Sequence, residues 1–140
     1  MTQSRPLLPP VVAVTSPTTA RIVARCAAEL ARPALLLCPQ EAAAFGGPAW
    51  FRELVDAAAR QSGAQLFAGL DAGSDAGVAV EALHLRLDVV IFSGPKGATE
   101  RLQRSGENLG QRVLAKMPSA LHVTGRDNLE AACRAWLEQR

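Results

Sequence analysis

The chain of 140 residues has no uninterrupted apolar stretch near the ~18 residues that a membrane-spanning helix needs. It also lacks any run of lysine or arginine along which a phosphate backbone could lie, and its formal net charge is only +2. Neither a membrane nor a nucleic acid is therefore an expected partner. Cysteine is scarce: Cys26, Cys38 and Cys133 are an odd number without metal-ligand spacing, which argues against a disulfide framework. Cys26 and Cys133 fall on the inward faces of predicted helices, where a thiol packs as a small hydrophobe. Pro6, Pro9, Pro10 and Pro17 break up the one stretch shaped like a secretion signal, so the expected location is cytoplasmic.

The well-marked chemistries are missing too. There is no G-x-x-x-x-G-K-[ST] loop, no G-x-G-x-x-G after the first predicted strand, no H-E-x-x-H and no C-x-x-C. Nor is there a Ser-His-Asp order or a carboxylate pair spaced for glycoside cleavage. The sequence thus carries no nucleotide or metal signature, and a cofactor stays unassigned. These absences remove recognisable enzyme classes, not enzymes in general.

What is present is an alternation of short apolar runs and amphipathic helices. Val11 to Val14 is a continuous apolar run, as in a strand covered on both faces. Ser16 then supplies a helix cap and Pro17 the first helical residue, and Ile22, Val23, Cys26, Ala27 and Leu30 recur at helical spacing. Ala34 to Cys38 reads as the second strand. Gln40 to Phe45 reads as one helical turn before Gly46-Gly47, and Pro48 opens a longer helix striped by Trp50, Phe51, Leu54, Val55 and Ala58. Gln65 to Leu70 and Val89 to Phe92 are the third and fourth strands, separated by a helix capped by Ser74 or Asp75. A thin helix over 98–109, a fifth strand over 112–115 and a short extended segment over 121–123 follow. Asp127-x-x-Glu130 starts the last helix.

This order predicts an α/β fold: a single-domain three-layer α/β/α sandwich with a mostly parallel sheet of five or six strands. The flavodoxin-like order 2-1-3-4-5 is favoured over a half-barrel that closes as a dimer. Residues 1–10 read as a flexible tail and 11–140 as one domain.

In such sheets ligands bind beyond the carboxyl ends of the strands, where the order reverses. Three features fall on that edge. Thr15, Ser16, Thr18 and Thr19 surround a helix N-terminus suited to an anion, although Ser16 can simply cap its helix. The only two lysines against thirteen arginines, Lys96 and Lys116, each follow a strand. One could attack a carbonyl as an amine or hold a carboxylate, or both could simply be solvated loop residues. Asp71 closes the third strand beside Gly73 and Ser74, as acid/base or as the anchor of its own Asx turn. Ser93 and Gly94 lie next to Lys96. Cys38 could face the same edge, but no histidine is placed to activate it. Trp50 and Phe51 are better explained by core packing.

Three functions remain: a domain binding an anionic small molecule, a lyase or aldolase-type enzyme with a lysine Schiff base, and a non-catalytic assembly module. A homodimer is open under each.

Overall fold

The first apolar run does form a strand leading straight into a helix. In the computed structural model, which describes residues 7–122 and 128–139, β1 (Val11–Ala13) precedes α1 (Pro17–Leu30). Ser16 caps α1, its side chain accepting the Thr19 N–H at 3.2 Å. Next come β2 (Ala34–Cys38), α2 (Gln40–Ser62), β3 (Leu66–Asp71), α3 (Ala76–His84), β4 (Val89–Ile91), α4 (Lys96–Glu107), β5 (Arg112–Leu114), β6 (Ala120–His122) and α5 (Leu129–Glu138). Non-helical Gly47, at φ 79°, divides α2 into a short first segment and a longer one opened by Pro48, as the glycine pair implied. Asp75 caps α3 and Asn128 caps α5 through the N–H groups of Val78 and Ala131. Asp127, where the last cap was expected, and Val123 lie outside the described residues. No helix among the described residues is long and apolar enough to cross a membrane.

All strand pairs are parallel, in the order β5-β4-β3-β2-β1-β6. The α/β class and the parallel sheet with its sixth strand are as expected. Two particulars differ. The order runs consecutively, with β2 and not β1 beside β3. The helices also form one layer, not two. Alternate strand residues, Val12, Leu36, Leu70, Val90 and Val113, share a core with side chains from all five helices. The residues between them, Val11, Leu35, Leu37, Val89 and Ile91, form a second core that, among the described residues, contains no helix residue.

That second core shows that the sheet is rolled. Leu35 and Leu37 are 0% exposed although no helix among the described residues covers them. Phe67, Leu114 and Ala120 pack into the same cluster from β3, β5 and β6, with Leu8 from the preceding segment. The connection from Leu114 to Ala120 gives the same answer. Six residue steps reach about 20–22 Å at most, whereas β5 and β6, at opposite edges of a flat sheet, would stand five strand spacings or about 24 Å apart. The link must also drop back along a strand. The six strands therefore curl into an open barrel, with helices packed outside and, among the described residues, no pairing between its edge strands β5 and β6.

The unit count could not separate these layouts. A run buried on both faces, as Ala34 to Cys38 is, reads the same between two helix layers as between a helix layer and a barrel interior. Consecutive right-handed crossovers then keep every helix on one side. Two bonds tie the ends of the chain into the barrel. Trp136 Nε1 donates to the Val11 carbonyl at 2.9 Å, and the Pro10 carbonyl accepts the Leu35 N–H at 2.9 Å, so Pro10 already belongs to the sheet.

Candidate functional site

Side chains on one face of a strand recur every second residue, so the inward rows can be read to the strand ends. Leu35 and Leu37 lie in β2, Val89 and Ile91 in β4. In β1 the row runs from Val11 through Ala13 to Thr15; in β3 from Phe67 through Gly69 to Asp71; in β6 from Ala120 to His122. At the carboxyl ends three of these rows thus pass from apolar to polar. Ala13 and His122 are partners in register, which sets the imidazole-bearing residue directly beside β1.

A cavity of about 460 Å³ opens at this end. Ala13, Thr15, Asp71 and His122 line it from the strand ends, Thr19 from the first turn of α1, Pro39, Gln40 and Glu41 from the start of α2, and Met117 from the β5–β6 link. Asp71 is half-buried, and its Oδ1 accepts the Gly73 N–H at 2.8 Å, which closes an Asx turn. Gly73 has φ +57°, and a Cβ there would run into the Gln40 amide. Its carbonyl accepts the Ser93 N–H at 2.7 Å. The hydrogen bond thereby ties the β3–α3 loop to the segment after β4, and the Gln40 side chain at the start of α2 lies close against Gly73.

Of the residues singled out in the sequence, Thr15, Thr19 and Asp71 line this cavity. Ser16 sits beside it as the α1 cap, its hydroxyl 3.0 Å from that of Thr19. Thr18 is exposed, 3.5 Å from the Arg21 guanidinium. Gly73 lies beneath Gln40, outside the lining, and Ser74 is exposed on the same loop. Ser93, Gly94 and Lys96 follow β4, with Ser93 and Lys96 exposed, Gly94 against the Phe92 ring and Lys96 the first residue of α4. Lys116 is exposed in the β5–β6 link, next to Met117 but not part of the lining.

The sequence reading missed Gln40, Glu41 and His122. His122 had a signal, being inward two residues after Ala120, but only once β6 is known to pair with β1. Cys38 belongs to the helix-side core. Burial, with the Asp71 charge adding to it, pushes its thiol from 9.0 up to about 12, so it is not an activated nucleophile.

A second cavity of about 400 Å³ lies outside the barrel between α3 and α4, where Val80 and Leu109 are both exposed. These are the apolar side chains an assembly role would use near the thin fourth helix. Fewer polar groups converge there. Among the described residues no three His, Cys, Asp or Glu side chains gather as a metal site would require.

No family model and no curated protein sequence matches the chain. Its fold is similar to that of a solved structure from Coccidioides immitis assigned as a fructose-1,6-bisphosphate aldolase, with a TM-score of 0.61 and 18% identity. The match covers 75% of this chain and 44% of that one, so the chain spans less than half the length of that neighbour. At this identity the likeness is one of fold.

Proposed function

We propose that this chain binds a small hydroxylated metabolite at the mouth of the rolled sheet. The observation that carries the reading is the 460 Å³ cavity in which Thr15, Asp71 and His122 close three inward strand rows and Gln40 and Glu41 face them from α2. A cavity of this size with a few convergent polar groups fits a metabolite. Among the described residues two carboxylates and no lysine or arginine line it, which favours ligand hydroxyls as the main partners. An anionic group on the same ligand would sit toward the amino end of α1, whose dipole attracts it. A thermal-shift screen against polyols, aldoses, ketoses and their phosphates tests the reading. At one hundred times the dissociation constant a ligand adds about 2.7 kcal/mol to native stability. A shift of several degrees that Asp71→Asn abolishes is the expected result; a compound that shifts wild type and variant equally places the site elsewhere.

The fold likeness to an aldolase favours a second reading, in which Lys96 or Lys116 forms an imine with a carbonyl substrate. Both lysines follow the carboxyl ends of strands, and both are outside the cavity lining. Borohydride added with small aldehydes and ketones would fix such an imine as a mass increase on one lysine. No increase on either lysine across the compounds tried removes this reading for them.

A further inference from the structure

The cavity at the mouth of the barrel holds the two kinds of side chain that proton transfer at carbon requires. Asp71 ends the inward row of β3, and the Gly73 N–H held by its Oδ1 fixes the carboxylate in one orientation while leaving Oδ2 for a ligand. His122 ends the inward row of β6 beside Ala13, exposed at the mouth, where its ring can meet a ligand. Thr15, Gln40 and Glu41 add hydroxyl, amide and carboxylate groups that can hold substrate hydroxyls. The amine needed for imine chemistry is not in the described lining, whereas a carboxylate and an imidazole are.

Resting on the metabolite-binding reading, we propose that this pocket interconverts a small α-hydroxy aldehyde and the corresponding α-hydroxy ketone. Asp71 takes the proton from the carbon that carries the hydroxyl group. The released C–H electron pair forms the carbon–carbon double bond of an enediol, and the carbonyl π pair moves to its oxygen, which takes a proton from His122. On return the second enediol hydroxyl gives a proton to His122 and becomes the new carbonyl. The double-bond pair recovers the proton from Asp71 at the former carbonyl carbon. Substrate and product are isomers, both side chains end as they began, and no oxidant or reductant is consumed. Glu41 lies on the more exposed start of α2 and is assigned to binding a hydroxyl.

The test uses the full chain in D2O with dihydroxyacetone and, separately, with glyceraldehyde, followed by proton NMR, alongside thermal shifts with the same compounds. Loss of the carbon-bound proton signal and growth of the isomer, both faster than in protein-free buffer, are expected. Asp71→Asn and His122→Gln should each slow both by about 100-fold or more, with the thermal shift kept in His122→Gln. If Asp71→Asn does not fold, His122→Gln carries the test, because its side chain is exposed on the last strand. Exchange that persists unchanged in His122→Gln overturns the assignment. A thermal shift with no exchange overturns the isomerase inference while leaving metabolite binding in place. Neither shift nor exchange with these compounds overturns the inference together with the claim that such compounds bind.

Discussion

Truncating Leu37 to alanine distinguishes a rolled sheet from an open one. Leu37 is 0% exposed and belongs to the core that no helix among the described residues reaches. In an open sheet this face would meet water, and the truncation would fall within the ~0.5 kcal/mol usual for surface changes. Inside a rolled sheet it removes a buried side chain and leaves a cavity that the surrounding strands cannot fill, at about 3–5 kcal/mol. Close packing supports the larger figure: a Cβ placed on Gly69 would stand 3.0 Å from Leu37 Cδ1, 3.4 Å from Leu35 Cδ1 and 3.4 Å from Val89 Cβ. Leu36→Ala, on the helix side of the same strand, is the internal standard and should cost a similar amount. Urea unfolding is the assay. With a slope of about 2 kcal/mol/M, the midpoint should fall by about 1.5–2.5 M in each variant at unchanged slope. A loss under ~1 kcal/mol for Leu37→Ala beside a full loss for Leu36→Ala would refute the rolled barrel.

Gln111→Leu should cost about 2–3 kcal/mol in the same assay, because Gln111 Nε2 donates to the Leu83 and Leu87 carbonyls at 2.9 Å each from a buried position. Burial pushes the Cys38 and Cys133 thiols from 9.0 up to about 12. Their contribution is whole below pH 9 and is lost as pH rises toward 12, by up to about 1.4 kcal/mol per pH unit for each thiol. Urea midpoints should therefore fall from pH 9 to 10.5, less steeply in Cys38→Ala, and an equal slope in that variant would contradict the assignment. Gly47→Ala should lose about 1–3 kcal/mol and Gly73→Ala about 1 kcal/mol or more, since both glycines hold positive φ and Gly47, at ψ 169°, lies where only glycine is at ease. Only Gly73→Ala pushes the Gln40 amide aside. It alone should weaken a ligand found in the thermal-shift screen, and equal weakening by Gly47→Ala would tie the effect to backbone strain, not to the pocket.

Local structure was legible wherever a residue acts through its own backbone. Ser16 and Pro17 announce α1 because a hydroxyl cap and a residue without an N–H are useful only at a helix start. Gly46-Gly47-Pro48 marks the break in α2 for the same kind of reason. The order of the strands was not legible. Leu35 and Leu37 are as apolar as Leu36, and nothing in that run says whether the far side meets a second helix layer or the opposite strands of a barrel. The cavity lining was legible in the part that depends on strand ends, Thr15 and Asp71. It was hidden in the part that depends on which strands are neighbours. His122 enters the cavity only because β6 pairs with β1, two strands that lie at opposite ends of the chain.

The inward rows also explain why the mouth lies at one end only. The inward rows of β1, β2, β3, β4 and β6 start apolar, with Val11, Leu35, Phe67, Val89 and Ala120 in the second core, whereas that of β5 starts with Arg112, in register beside Val89. A barrel of six short strands has room for little more than these layers, so the side chains beyond them emerge from the apolar core and meet solvent on one side. A polar residue at that position loses only part of its hydration, whereas one layer lower it would lose nearly all of it. Rolling the sheet therefore gathers Thr15, Asp71 and His122 on a common rim although they lie far apart in sequence. It also lays them over an apolar floor on which a ligand can rest its carbon face. At the opposite end the Asp88 carboxylate is committed to the Ala68 N–H at 2.8 Å and Gln111 to two carbonyls, so these two side chains close backbone valences. The carboxyl end carries the polar side chains that line the cavity, and the proposed function rests on them.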